Sequence, residues 1–227
     1  MNKTPKEILE ELSLKFNKNM ASWAKSDHQS LSRTFLFARA ITEIGQVLKK
    51  PNLPKHQQRC CAIFDEIFSD TISAVYLATC AIDKPANIVM RRVLELGIAA
   101  LYLWDMPHVM YAWEYHGQDL SFTEMINHIN SAGYRQYVSE ELGKTVENDI
   151  VESTILKDHY GRLSDVVHGR ISSFESNLPE RFTFNENDWK SFVAMANEIL
   201  EALLKSYFNR FKVSAEIFKK IPGLNKP

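Results

Sequence analysis

The chain has 227 residues, of which 45% are hydrophobic and 24% are charged, the composition of a globular protein with a large buried core. Its 27 Lys and Arg residues nearly balance its 28 Asp and Glu residues, which argues against an extended basic surface that binds nucleic acid phosphates. Only eight Gly and eight Pro are present, too little turn material for a β-rich fold.

The first helix is predicted at the N-terminus. Thr4-Pro5-Lys6-Glu7 combines a capping box with a proline at the first helical position, where the missing N–H costs nothing. Apolar residues then recur at the spacing of an amphipathic helix: Ile8, Leu12, Phe16, Met20 and Trp23. We expect these residues to form one buried face.

A second helix is predicted to begin near Ser26 or Asp27. It should end by Lys50, because Pro51 and Pro54 cannot continue a helix. Its expected buried residues are Leu31, Phe35, Ala38, Ile41 and Leu48.

Two long helices are predicted next, one from about Pro54 to Ala81 and one from Pro85 to about Trp104. The second is apolar almost all round after Arg92, which indicates a central helix packed on several sides. From residue 105 to 143 the pattern breaks into shorter helices, one of them opened by a second capping box at Ser121. We expect a helix to resume near Lys144 and run towards Gly169, followed by a polar loop over 171–187.

The last predicted helix has a long apolar face: Trp189, Phe192, Val193, Ala196, Ile199, Leu200, Leu203, Tyr207 and Phe211. The predicted fold class is therefore all-α, a single-domain bundle of long antiparallel helices with a short-helix insertion around 105–143. Within this one domain, 1–227, we expect an N-terminal helical pair at 1–50, a bundle at 54–213 and a frayed tail at 214–227.

The location expected from the sequence is the cytoplasm. The most apolar window, Val93 to Trp104, is too short for a bilayer, which needs about 20 apolar residues, so no membrane association is expected. The N-terminal residues lack the apolar stretch of a signal peptide. Three cysteines, Cys60, Cys61 and Cys80, show no disulfide framework and no CxxC metal spacing, which favours a reducing compartment.

The strongest candidate for a functional site is the segment Tyr160-Gly161-Arg162-Leu163-Ser164-Asp165-Val166-Val167-His168-Gly169. On a helix, Arg162, Asp165 and His168 form a slanting polar stripe, because residues three apart lie about 60° from one another. Asp165 can reach either Arg162 or His168, one turn away on each side. Gly169 has the position of a helix C-cap.

Arg162 and His168, separated by five residues and followed by Gly169, resemble the Arg-x4–6-His motif of the HEPN superfamily. That resemblance, which would cover the bundle at 54–213, implies an α-helical, metal-independent endoribonuclease of toxin–antitoxin or host-defence systems. It also implies a composite site formed by two copies of the chain. One departure is Leu163, because the commonest pattern has a polar residue directly after the arginine.

The residue roles that follow from this resemblance are these. His168 would act as general base or acid, Arg162 would bind the scissile phosphate, and Asp165 would orient one of them. Ser164 or Tyr160 would add a hydrogen bond. The implied partners are RNA, a second copy and an antidote protein, with no metal and no cofactor. The alternative is a non-catalytic interaction module, in which the same stripe is a dimer interface or docks a partner.

A second charged group, Arg91-Arg92-Val93-Leu94-Glu95, opens the apolar central helix. Charges entering so apolar a helix need partners, because an unpaired buried ion costs several kcal/mol. One account is an ion pair that ties two helices together. The other is that Arg92 and Glu95 face the helix of Arg162 and His168 and support the site. The remaining histidines lack the spacing of metal ligands.

Overall fold

A computed structural model describes residues 3–26, 29–170 and 182–224 of the chain. Within these residues the chain forms ten α-helices and no strand, which confirms the all-α fold class. None of the helices in the described ranges has both the length and the apolar character needed to cross a bilayer.

Helix α1 spans Pro5–Trp23 and begins as predicted, because the Thr4 side chain and the Glu7 side chain each bind the other residue's backbone N–H. In this helix the expectation of one buried apolar face is wrong at Ile8, which is 45% exposed, while the other four predicted residues, Leu12, Phe16, Met20 and Trp23, are half-buried. Its second half is anchored by buried Asn19. The amide of this residue donates to the carbonyls of Cys80 and Phe182, each at 2.8 Å.

Helix α2 spans Gln29–Leu48, and α3 spans Lys55–Thr79. The predicted break at Pro51 and Pro54 is confirmed. Phe35 is an error in our predicted core of α2, since it is 37% exposed and Phe37 is buried in its place. The reason is that α2 packs against both α3 and α9, which turns the face with Thr34, Phe37 and Ile41 inward.

Helix α4 spans Asp83–Asp105 and is antiparallel to α3. The side chains of His56 and Gln57, at the start of α3, both lie within hydrogen-bonding distance of the carbonyl of Trp104, at the end of α4. Eleven residues of α4 are buried, and they contact α3, α5, α6, α8 and α9, so this helix has the central place that its composition predicts.

The predicted short-helix insertion consists of α5 (Pro107–His116), α6 (Phe122–Ile129) and α7 (Ala132–Leu142). Ser121 caps α6 as expected, and Gly117 and Gly143 end α5 and α7 with positive φ. The prediction that helix resumes near Lys144 is wrong. Residues 143–152 are not helical, because the Asn130 amide forms two hydrogen bonds, at 2.8 and 2.9 Å, with the backbone of Val151.

Three helices complete the fold: α8 (Ser153–Val167), α9 (Glu186–Arg210) and α10 (Ser214–Lys220). Most of the polar loop predicted at 171–187 lies outside the described residues. The frayed tail predicted at 214–227 is wrong for residues 214–224, because α10 folds back and buries Ile217, Ile221 and Leu224. Helix α9 is antiparallel to α8 but parallel to α2 and α4, so the long helices are not uniformly antiparallel.

The ends of α4, α7 and α9 meet at Arg210, which is 2% exposed. Its guanidinium binds both carboxylate oxygens of Asp105, at 2.9 and 2.8 Å, and Glu141 at 2.7 Å. The hydroxyls of Tyr134 and Tyr137 donate to the same Asp105 carboxylate. This network, which we call the Arg210 network, attaches the short-helix insertion to the core.

Candidate functional site

The predicted motif lies on the second half of α8. This helix packs on α4 and α9 through Leu156, His159 and Leu163, a buried row at the i, i+3, i+7 spacing of one helix face. It ends in a Schellman motif, in which Gly169 adopts φ +63° and the N–H groups of Gly169 and Arg170 bind the carbonyls of Val166 and Asp165. Gly169 therefore has the C-capping position that the sequence predicts.

Arg162 is directed outward, and 69% of its side chain is exposed. Its guanidinium pairs with Asp158, one turn earlier on α8, at 2.9 Å. Together with Val166 it lines an open groove of about 430 Å³ between α8, the start of α4 and the first half of α9. The floor of the groove is apolar, with Phe192 and Met195, and its rim is polar, with Asp83, Lys84, Asn87, Asp188 and Ser191.

His168 is exposed at the C-terminal turn of α8, and it is not one of the described residues that line this groove. Six residues of helix correspond to a rise of about 9 Å, and they leave Arg162 and His168 about 120° apart around the axis. The structure thus places both side chains in solvent on the half of α8 that faces away from the core, but on different sides of that half.

The structure also locates Asp165 and Ser164. Asp165 pairs with Arg170 at 3.0 Å, just beyond the helix end, and not with Arg162 as its spacing allowed. Ser164 donates its hydroxyl hydrogen bond to the carbonyl of Tyr160 at 2.6 Å, one turn earlier on α8. Both residues thus have partners that belong to α8 or to its capping segment.

Tyr160 lies on the side of α8 that faces α4 and α6. Its hydroxyl accepts a hydrogen bond from Arg91 Nη2 at 3.0 Å, and Arg91 Nε donates to Glu95 at 2.9 Å. The Tyr160 ring stacks on the buried ring of Phe122, with centroids 4.1 Å apart, and the guanidinium of Arg91 lies over it at 4.9 Å. We call Arg91, Glu95, Phe122 and Tyr160 the Tyr160 cluster.

Arg92 requires a correction, because it faces α3 and not α8. Its guanidinium binds Asp70 and, at 3.1 Å, Glu66, so it forms the ion pair between two helices that was one of the two accounts of this segment. Burial raises the pKa of Asp70, and the charge of Arg92 opposes that shift. In place of Arg92, the neighbouring Arg91 faces α8, and Glu95 reaches that helix through it.

The sequence reasoning missed His159, which is 4% exposed between α8 and α9. Its Nε2 lies 2.8 Å from a carboxylate oxygen of Glu198, and its Nδ1 is buried without a hydrogen-bond partner in the described part of the chain. The position of His159 between Leu156 and Leu163 on the apolar face of α8 could have predicted its burial. His159 orders the interface between α8 and α9, whereas Arg162 and His168 lie on the outward-facing sides of α8.

The described residues contain no group of three or more His, Cys, Asp or Glu side chains placed to hold a metal ion. Comparisons of this chain with models of known protein families, with curated proteins and with solved structures found no match. The function of the protein is therefore inferred from the resemblance of its motif and from the geometry of its own residues.

Proposed function

We propose that this protein is a metal-independent endoribonuclease of the HEPN type. The observation that carries the proposal is the placement of the motif: Arg162 and His168 are both exposed on one half of a helix whose opposite face is fixed in the core. Fixed helices hold reacting groups in place better than loops do. We extend the proposal to a cytoplasmic toxin or host-defence effector restrained by an antidote protein, which the resemblance of the motif implies.

The proposed reaction uses the ribose 2′-hydroxyl as the nucleophile, so it needs no metal-bound water. His168 removes the 2′-hydroxyl proton, the 2′-oxygen bonds to phosphorus, and the bond from phosphorus to the 5′-oxygen breaks. The leaving 5′-oxygen takes a proton from water, and the products are a 2′,3′-cyclic phosphate and a 5′-hydroxyl. An imidazole can accept the 2′-hydroxyl proton near neutral pH.

Arg162 would bind the scissile phosphate and stabilise the charge that builds up on it. Its present partner, Asp158, is an exposed residue of the same helix, and exposed pairs of this kind contribute only about 0.3–0.5 kcal/mol. A phosphate can therefore displace this carboxylate at little cost. The groove beside Arg162 offers room for a nucleotide attached to that phosphate.

A second copy of the chain would complete the site. Because Arg162 and His168 of one α8 lie about 120° apart, they do not converge on one phosphate from a single helix. In a dimer with a two-fold axis, the Arg162 of one chain would lie next to the His168 of the other, so that each site combines one arginine and one histidine. The near-neutral charge of the chain agrees with such pairing, since it opposes self-association only weakly.

The test is cleavage of total RNA and of a defined single-stranded RNA in the presence of EDTA. We expect His168→Ala to lower kcat on the order of 100-fold or more, the usual size of a general acid–base contribution. His116→Ala is the matched control, since His116 is also an exposed histidine that directly precedes a positive-φ glycine at a helix end. For Arg162→Ala the control is Arg33→Ala, another exposed arginine paired with a carboxylate.

Co-expression of the His168→Ala and Arg162→Ala chains tests the composite site directly. A mixed dimer contains one site with both an intact arginine and an intact histidine, and random pairing makes about half of the dimers mixed, so up to about a quarter of the activity should return. If the wild type cleaves RNA and the mixture does not, the site lies within one chain. A wild type that cleaves no RNA, or that is unaffected by either substitution, contradicts the ribonuclease proposal.

The second candidate function is a non-catalytic interaction module, and a specific observation favours it. Val167, next to His168, is 43% exposed, so an exposed apolar side chain adjoins the polar motif. A partner interface would bury this side chain. In that case Val167→Asp abolishes self-association or partner binding, His168→Ala changes it little, and neither protein cleaves RNA.

A further inference from the structure

The buried row of Leu156, His159 and Leu163 fixes one face of α8, and Leu163 is its last member. From position 161 to 170 the other residues are half-buried (164–166) or exposed (161, 162 and 167–170). One narrow row of contacts opposes rotation about the helix axis less than contacts on two sides do. The directions of Arg162 and His168 therefore depend also on contacts at the edges of α8.

The Tyr160 cluster supplies such a contact, because it joins α8 to two other helices at one residue. Phe122 of α6 covers one side of the Tyr160 ring, and Arg91 of α4 binds the hydroxyl at its tip. The Arg91 side chain is only 15% exposed, and Glu95, one turn further along α4, holds its Nε. The tyrosine is thus fixed at its ring and at its hydroxyl.

The same edge of α8 continues towards the motif. The Ser164 hydroxyl binds the Tyr160 carbonyl, and the His168 N–H binds the Ser164 carbonyl at 2.9 Å. Tyr160, Ser164 and His168 are spaced at i, i+4 and i+8, on neighbouring positions of one side of α8. Contacts that fix Tyr160 therefore also restrict the movement of the side of α8 on which His168 lies.

We propose that Arg91 is a positioning residue, which fixes the rotation of α8 through Tyr160 and so sets the directions of His168 and Arg162. The catalytic part of this inference rests on the proposed ribonuclease function. Arg91 touches neither the substrate nor the reacting groups in this scheme. It acts through the tyrosine hydroxyl, and its neighbour Arg92, which is bound to α3, has no such effect.

The geometry gives the size of the effect. The outer radius of a helix with its side chains is about 5–6 Å, so a rotation of α8 by about 10° moves an outer atom by about 1 Å. A misplacement of about 1 Å between reacting groups can cost on the order of 100-fold in rate. A small loss of rotational order is thus enough to abolish most of the activity while the fold persists.

The first experiment measures hydrogen exchange of the backbone amides, which requires no activity. We expect Arg91→Ala to speed exchange over residues 164–170, in the last turn of α8 and its cap, without changing exchange in α3. Arg92→Ala should leave residues 164–170 as in the wild type and change α3 instead, because its partners are Glu66 and Asp70. Equal exchange over 164–170 in the two variants overturns the inference.

The second experiment measures kinetics on single-stranded RNA with EDTA, using the same two variants together with Tyr160→Phe and Arg91→Lys. Arg91→Ala and Tyr160→Phe should lower kcat on the order of 100-fold while KM stays within about 2-fold, because binding groups remain but their alignment is lost. Arg91→Lys, which keeps a charged donor for the Tyr160 hydroxyl, should restore part of the loss. Arg92→Ala should have the kinetics of the wild type.

The two experiments separate the two hypotheses. A wild type that cleaves RNA and an Arg91→Ala variant that cleaves equally well overturn the positioning role and leave the ribonuclease proposal intact. A wild type that cleaves no RNA overturns the ribonuclease proposal and the part of Arg91 in catalysis. In that case the exchange data alone decide whether Arg91 orders α8, and the lysine variant distinguishes the specific hydrogen bond from bulk packing.

Discussion

The contact between α2 and α3 provides a sharp test of the packing, because it includes a glycine, Gly45. A Cβ atom added to Gly45 would lie 2.8 Å from Phe64 Cβ and 3.1 Å from the carbonyl oxygen of Cys61. Neither of those atoms is at the free end of a flexible side chain, so the two helices must separate. Reaching the ordinary contact distance of 3.4 Å requires a shift of about 0.6 Å.

Gly45→Ala should therefore lower the free energy of unfolding. Forcing an extra carbon into a packed core costs about 1–3 kcal/mol, whereas alanine in place of glycine favours a helix by about 1 kcal/mol. We expect a net loss of up to about 2 kcal/mol. For a chain of this length each kcal/mol corresponds to about 2–4 °C in Tm.

Gly161→Ala is the matched control, since Gly161 is also helical and a Cβ atom there meets nothing within 4 Å. Only the helix-propensity gain remains, so this variant should be more stable than the wild type by up to about 1 kcal/mol. Urea unfolding followed by circular dichroism measures both changes. If Gly45→Ala is as stable as Gly161→Ala, the α2–α3 contact described above is incorrect.

Two further predictions concern buried polar groups. Asn19→Ala should lower the free energy of unfolding by about 2–4 kcal/mol in urea, because it leaves the backbone groups of Cys80, Phe182 and Phe184 without their side-chain partner. The control is Asn17→Ala, at an exposed position of the same helix, which should change the free energy of unfolding by less than about 0.5 kcal/mol. Burial, with the nearby Asp105 carboxylate, raises the pKa of Tyr137 to about 12 from an ordinary 10.0. As the pH rises, the unfolded chain loses this proton before the folded chain does, so the free energy of unfolding should fall between about pH 10 and pH 12. Tyr137→Phe should make that fall shallower. An unchanged slope in this variant refutes the assignment.

Local signals in the sequence predicted the elements well where one short pattern decides the structure. The capping box of Thr4 and Glu7, the prolines at 51 and 54 and the glycine at 169 act within one turn, and each is found where it was expected. The motif on α8 follows from the same kind of signal. Its exposure could be inferred because Arg162, Asp165 and His168 lie away from the apolar row.

Contacts between distant residues decided the features that the sequence did not reveal. Residues 143–152 are kept out of a helix by Asn130, which no local pattern links to Val151. The choice between Arg91 and Arg92 as the arginine that faces α8 depends on how α4 is rotated, and an almost wholly apolar helix carries little information about its rotation. The apolar residues of α1 show the reverse case, because Ile8 has the spacing of an amphipathic face and is nevertheless exposed.

The Arg210 network has a consequence for the order in which the chain can fold during synthesis. Asp105 leaves the ribosome long before Arg210, the last residue of α9, and until then a carboxylate whose side chain is only 3% exposed in the native protein has no guanidinium to bind. Burying it in that interval would cost several kcal/mol. The helices that are synthesised earlier must therefore remain loosely assembled until Arg210 is made, and the native protein forms only when translation is almost complete.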